Sequence, residues 1–254
     1  MHDNSKTAIS KVPEITLAFW VIKILATTLG ETGGDAVSMS MELGYLVSTG
    51  IFAVIFFVSV SAQIATTSYN PLLYWTTIIA TTTVGTTLAD FADRSLGLGY
   101  AGGSTLLLAL LMGSFLLWYR LQGSITTPRT ELFYWVTIMF SQTLGTALGD
   151  WTADEAGFGY AGSTLLFGGM LAAIIAAYYL TRVSRTLLFW AAFILTRPLG
   201  AVVGDFLDKP LSKGWLELSR YSASFALLAA IATLVLISTL RNRQPVRAEL
   251  DIEQ

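Results

Sequence analysis

Residues Trp20 to Asp35 read WVIKILATTLGETGGD. The stretch recurs without gaps as WTTIIATTTVGTTLAD (Trp75 to Asp90), WVTIMFSQTLGTALGD (Trp135 to Asp150) and WAAFILTRPLGAVVGD (Trp190 to Asp205). In each copy a glycine follows the tryptophan by ten residues, at Gly30, Gly85, Gly145 and Gly200, and an aspartate follows that glycine by five. The copies recur at intervals of roughly 55 to 60 residues, a period that marks tandem repetition of one supersecondary unit.

Each unit also carries the apolar length of a membrane protein. The chain has 254 residues, 54% of them hydrophobic and 13% charged, with a mean hydropathy of +0.62. That is too apolar for an ordinary soluble domain. Apolar runs fall at Ile15–Leu29, Leu46–Ile64, Leu72–Leu88, Leu106–Tyr119, Leu132–Leu148, Ser163–Leu180, Leu187–Val203 and Ala223–Leu240. With their flanks, each reaches the ~20 residues a helix needs to cross a bilayer. The sequence therefore predicts an all-α polytopic membrane protein of eight transmembrane helices, two per repeat. The repeats fall at about 13–66, 67–125, 126–182 and 183–240, between polar tails 1–12 and 241–254 that are expected to be disordered. A removable signal peptide is not expected, because the first apolar segment belongs to the repeat.

Charge sets the expected orientation. The N-terminus, the even-to-odd loops and the C-terminus hold Lys6, Lys11, Arg120, Arg129, Arg182, Arg185, Arg241, Arg243 and Arg247. The odd-to-even loops hold Arg94, Lys209, Lys213 and Arg220 together with most of the acids. The positive-inside rule then places both termini in the cytoplasm. With two crossings per repeat, all four copies run the same way. They are expected to be parallel repeats around a pseudo-symmetry axis along the membrane normal.

Two faces can be read on each odd helix. One holds small residues: Gly30/Gly34, Gly85/Ala89, Gly145/Gly149 and Gly200/Gly204. Such pairs let helix backbones approach closely in lipid. The other, about 100° further round, reads at steps of four Lys23, Thr27, Glu31, Asp35, then Ile78, Thr82, Thr86, Asp90, then Ile138, Gln142, Thr146, Asp150, and Phe193, Arg197, Ala201, Asp205. The simplest packing sets the odd helices around an axis with these stripes inward and the even helices outside. The even helices open on a second signature: Gly44-Tyr45, Gly99-Tyr100 and Gly159-Tyr160, the tyrosines being suited to the outer interface. Pro13, Pro71 and Pro128 suit the starts of helices 1, 3 and 5.

The phrases LGETGGD, GTTLAD, YWVTIMFSQTLGTALGD and FILTRPLGAVVGD, one per unit, resemble a bacterial membrane-protein family of four tandem two-helix repeats, each with a characteristic Trp, catalogued as a repeat of unknown function. The resemblance spans roughly residues 14–240. In the fourth repeat Lys209, Pro210 and Lys213 replace the Gly-Tyr pair. The resemblance implies an eight-helix protein of the bacterial inner membrane and no particular activity.

Chemistry concentrates on the stripe. Glu31 is the most informative residue, since Thr or Ala fills its place in the other repeats. An ionisable group at such depth costs ~2.5–3.5 kcal/mol even on the insertion scale and is rarely present without a role. It reads as a proton- or cation-binding carboxylate, or as half of a structural ion pair with Lys23 or Arg197. Those two cations suit counter-ions or an anionic substrate, and Pro198 frees the carbonyl of Ile194 beside Arg197. Asp35, Asp90, Asp150 and Asp205 can form a carboxylate ring, which with Glu31 would suit a hard metal ion, or can simply end their helices. Asp93, Asp154 and Asp208 are expected to be solvated. Trp20, Trp75, Trp135 and Trp190 read as packing or interfacial anchors, and the Thr and Ser groups as donors to helix backbones. The sequence has no cysteine and a single histidine, His2, which argues against thiol or zinc chemistry. LGLGYAGG and GFGYAGS lack the strand and Lys-Ser/Thr context of a phosphate loop, so neither a cofactor nor nucleic acid is expected.

Three readings follow. The first is a transporter or channel for a small cation (a proton or hard divalent metal) or proton-coupled solute, in contact with lipid and open to oligomerisation. The second is a scaffold or partner subunit whose charges serve assembly. An intramembrane enzyme is the weakest. The first requires a hydrated cavity reaching Glu31, whereas a dry, closed network of Lys23, Glu31 and Arg197 favours the second.

Overall fold

The computed structural model of the chain describes residues 11, 13–120, 128–208, 216 and 218–252. Among these are eight α-helices and no strand: α1 (Leu17–Asp35), α2 (Gly44–Ala65), α3 (Pro71–Asp90), α4 (Gly99–Arg120), α5 (Pro128–Asp150), α6 (Gly159–Leu180), α7 (Arg185–Asp208) and α8 (Arg220–Ile252). Five of them, α2, α4, α6, α7 and α8, are long and apolar enough to cross a membrane. α1, α3 and α5 have 19, 20 and 23 residues. The Lys, Thr, Gln, Glu and Asp of their stripes lower their mean hydropathy.

Local chemistry explains the helix ends. α1 begins at Leu17 and not at Pro13, because Thr16 caps it: its Oγ1 accepts from the Phe19 N–H at 3.3 Å. Asn70 caps α3 in the same way, accepting from Leu73 N–H at 3.1 Å, with Pro71 as the first helical residue. The glycines of the Gly-Tyr pairs have φ of +72°, +65° and +61° at the starts of α2, α4 and α6, a left-handed conformation that explains why glycine is there. Three short π-helical turns, Ala36–Ser40, Phe91–Ser95 and Trp151–Glu155, follow the aspartates of the first three units. α8 continues to Ile252, through a tail expected to be disordered; Arg, Gln, Ala, Glu and Leu there are good helix formers. Of the N-terminal tail, Lys11 is described, and it pairs with Glu131 at 2.8 Å. Lys209, Pro210, Lys213 and the 125/126 repeat boundary lie outside the described residues.

The odd helices close into a ring: α1 packs on α3, α3 on α5, α5 on α7, and α7 back on α1. Each even helix lies against the odd helix of the next unit, α2 on α3, α4 on α5, α6 on α7 and α8 on α1. The repeats thus interlock instead of standing side by side, and no unit buries its apolar surface alone. The outer faces carry exposed Val54, Phe57, Leu165, Ile175, Phe225 and Leu236.

Glycine makes the ring tight. A Cβ at Gly30 would lie 2.6 Å from Thr82 Cβ, and one at Gly85 would lie 3.0 Å from Gln142 Cβ. At Gly145 it would meet Arg197 Cβ at 2.6 Å, and at Gly200 Thr27 Cβ at 2.5 Å. Each repeat's glycine is therefore the seat for the polar stripe of its neighbour. The second small residues repeat the pattern one turn on, with Gly34 facing Thr86, Gly149 facing Ala201 and Gly204 facing Glu31.

The tryptophan end is sealed by an aromatic girdle. The residue before each tryptophan touches the tryptophan of the next unit: Phe19–Trp75 at 5.7 Å, Tyr74–Trp135 at 6.2 Å, Tyr134–Trp190 at 6.3 Å and Phe189–Trp20 at 5.7 Å. These tilted and edge contacts suit aromatic quadrupoles. Packing is what the tryptophans do here.

Candidate functional site: the charged axis of the helix ring

All sixteen stripe residues of the four odd helices are buried. They stack in four layers. Lys23, Ile78, Ile138 and Phe193 lie nearest the girdle; then come Thr27, Thr82, Gln142 and Arg197, then Glu31, Thr86, Thr146 and Ala201, and last Asp35, Asp90, Asp150 and Asp205.

Arg197 is the hub. It is fully buried, and its Nη2 donates to Glu31 Oε2 at 3.0 Å. The same nitrogen reaches the hydroxyls of Thr86 and Thr146, and Nη1 donates to the Thr27 carbonyl at 3.4 Å. One guanidinium therefore ties α1, α3, α5 and α7 across the axis. The threonines add bonds around the rim: Thr82 Oγ1 donates to the Ala26 carbonyl at 3.2 Å, Thr86 Oγ1 has the Gly30 carbonyl at 3.1 Å, and Thr27 Oγ1 has the Thr196 carbonyl at 3.1 Å. Each such carbonyl lies beside the glycine seat of the neighbouring helix. The close approach that glycine allows is what brings donor and acceptor together.

Lys23 is not the partner of Glu31. The two are eight residues apart, about 12 Å along a helix. Its Nζ sits over the Phe193 ring, 4.1 Å from the centroid.

Beyond Arg197 the acids converge. Carboxylate oxygens of Glu31, Asp35 and Asp205 lie within 4.8 Å of one another, all buried. Of the five acids expected to gather, this is the set brought close together. Asp90 and Asp150 turn to Arg94, at 3.2 and 3.6 Å. Asp35 and Asp208 face Arg220, at 3.8 and 2.8 Å. The sequence assigned Arg94 and Arg220 to loop charge and missed this role. Arg94 falls four residues after Asp90 on a continuing helical path, a spacing that signals an ion pair. Nothing local foretells the reach of Arg220, which starts α8. Burial opposes the charge of Arg94, yet Asp90 and Asp150 together raise its pKa above the ordinary value.

The tyrosines of the Gly-Tyr pairs continue this mesh. Arg94 donates to Tyr45 Oη at 2.9 Å and to Tyr100 Oη at 3.4 Å, while Tyr100 and Tyr160 donate to the two oxygens of Asp154 at 3.1 and 2.9 Å. Asp154 is exposed, as expected, but Asp93 is not. Asp93 packs under Gly103 with both oxygens lacking a hydrogen-bond partner among the described residues. Burial pushes its carboxyl up to about 7, with Arg94 pulling the other way. Asp208, also expected in solvent, is held by Arg220.

Fold and site define a helical ring protein of four interlocked repeats, with membrane-like helices and a charged core. The chain belongs to the family described as Repeat of Unknown Function (DUF347), whose model matches residues 18–69, 73–124, 133–184 and 188–244. Each match takes in most of one odd helix and all or most of the even helix after it. No curated protein and no solved structure matches the chain.

Proposed function

We propose that this protein moves a small cation, a proton or a hard divalent metal ion, through the ring of odd helices, as a transporter or channel. The convergence of Glu31, Asp35 and Asp205 on the axis carries the reading. Like charges this close in a low-dielectric setting repel strongly, and a proton or cation relieves the repulsion. Oxygen ligands alone favour a hard ion. Arg197 then acts as a tethered counter-ion that an entering cation must displace from Glu31. Pro198, inside α7, removes the backbone hydrogen bond to Ile194 and loosens the helix beside that arginine.

The membrane arrangement belongs to the same proposal. α1, α3 and α5 join the five apolar helices as spans, because their polar stripes face protein and not lipid. The paired contacts Gly30–Thr82 and Gly34–Thr86 advance together along α1 and α3, as do Gly145–Arg197 and Gly149–Ala201 along α5 and α7. This supports parallel repeats about an axis along the membrane normal. The positive-inside rule puts both termini in the cytoplasm of a bacterial inner membrane, with the acids facing outward.

The scaffold reading draws on a different observation. Lys23, Glu31 and Arg197 are all buried, and the described cavity, lined by Phe115, Tyr134, Ser141 and Trp190 among others, does not include Glu31. A carrier in a closed conformation and a scaffold share that appearance. Flux separates them. Purified protein in liposomes, given a Mn²⁺ or pH gradient, should conduct, and Glu31→Gln and Asp205→Asn should abolish flux while the protein remains monodisperse. Absence of flux under both gradients, or undiminished flux in both variants, would refute the transport reading.

A further inference from the structure

On the girdle side of Arg197 the axis holds hydrogen-bond donors that the Glu31 pair does not use. Lys23 is fully buried, and its Nζ has no hydrogen-bond acceptor among the described residues. Arg197 uses Nη1 and Nη2 as described, but its Nε has no acceptor there either. Gln142, in the same layer as Arg197, is fully buried, and both its amide atoms lack a hydrogen-bond partner among the described residues. Three elements, α1, α5 and α7, thus place an ammonium, a guanidinium N–H and a carboxamide N–H in two consecutive layers of the inner stripe.

Such a set is rich in donors and short of acceptors. Glu31 balances the guanidinium, but no carboxylate among the described residues lies within salt-bridge distance of Lys23. A buried ammonium with neither counter-ion nor acceptor is costly. The Phe193 ring face offsets part of that cost but accepts no conventional hydrogen bond.

We propose that Lys23, Gln142 and the Nε of Arg197 bind a small monovalent anion, of halide or nitrate size. One negative charge matches the one cation left over. The rest of the Lys23 layer, Ile78, Ile138 and Phe193, is apolar and buried, which favours a compact, weakly hydrated ion over a large one. Phe193 and Ile138 also line a cavity of about 10 Å³, where Thr137 and Ser141 present hydroxyls with no partner among the described residues. Rotation of the Phe193 side chain would join that cavity to Lys23. This site does not depend on the cation reading.

The test uses the purified full-length protein in detergent at constant ionic strength, exchanging sodium gluconate for sodium chloride. Chloride should raise the Tm, as any ligand of the folded state does, and ³⁵Cl NMR should show excess line broadening that bromide and nitrate compete away. Both effects should disappear in Lys23→Met, weaken in Gln142→Leu and persist in Arg120→Gln, an exposed control. A wild type indifferent to chloride overturns the proposal. So does a response retained in Lys23→Met, which would mean surface binding only. If Lys23→Met does not fold, an unchanged response in Gln142→Leu overturns it alone.

Discussion

Arg197 holds four helices with one side chain, and its worth depends on what it faces. Removing one partner of a buried ion pair leaves the other charge stranded, a loss of ~3–5 kcal/mol, whereas replacing both is close to neutral. Arg197→Met should therefore lower the Tm sharply, because Glu31 stays buried beside Asp35 and Asp205. Arg197→Met with Glu31→Gln should recover most of the loss, which tryptophan fluorescence on heating would show. Asp93 sets a pH dependence of its own. Its carboxyl is raised to about 7 in the fold, against ~3.9 in an unfolded chain. The folded state thus keeps this proton where the unfolded chain has lost it. Stability from this group is fully present below about pH 4 and is lost as pH rises towards 7. Asp93→Asn should gain on the wild type through that window, and the gap should stay constant above it. Parallel Tm curves for the two proteins would contradict this assignment. The sequence showed that Glu31 and Arg197 were charges on the polar stripes of otherwise apolar helices. Nothing in it showed that Arg197, and not Lys23, would reach Glu31, because that choice depends on the direction of side chains between α1 and α7.

At the scale of the helix, the repeated glycine is a seat and not a hinge. A methyl group at Gly200 would meet the Thr27 backbone carbon at 2.9 Å, whereas one at Gly50, on α2, would meet nothing within 4 Å. Gly200→Ala should cost ~1–3 kcal/mol by overpacking. Gly50→Ala should be neutral or slightly stabilising, since glycine is the poorer helix former. Thermal unfolding of the two variants side by side checks the contrast. The small-residue seam and the polar stripe were both legible from steps of four along Trp20–Asp35 and its copies. What was not legible is that seam and stripe belong together: the seam of one helix receives the stripe of the next. The π-helical turns were also missed, since i to i+5 bonding leaves no mark in the hydrophobic period.

At the scale of the whole molecule, closure is the central feature. α8 reaches back to α1, so the fourth unit completes the first and the aromatic girdle has no open seam. The proposed topology makes a direct prediction. The chain has no cysteine, so single cysteines can report sidedness. In intact cells, an impermeant maleimide should label Glu42→Cys and Leu98→Cys, and should label Thr67→Cys and Arg182→Cys only after permeabilisation. The reverse pattern would invert the protein. Labelling of Glu42→Cys and Leu98→Cys from opposite sides would break the parallel arrangement.

Sequence alone determined the repeat, the helical class, the membrane-like composition and the stripe on which the charges lie. Those follow from composition and from the 3.6-residue period, both local properties of the chain. Tertiary structure alone decided which charges meet across helices: Arg197 with Glu31, Arg94 with Asp150, Arg220 with Asp35 and Asp208, and Lys23 with an aromatic ring. Pairing between helices depends on how the ring closes and on which backbone approaches which, and residues on separate helices carry no local trace of that.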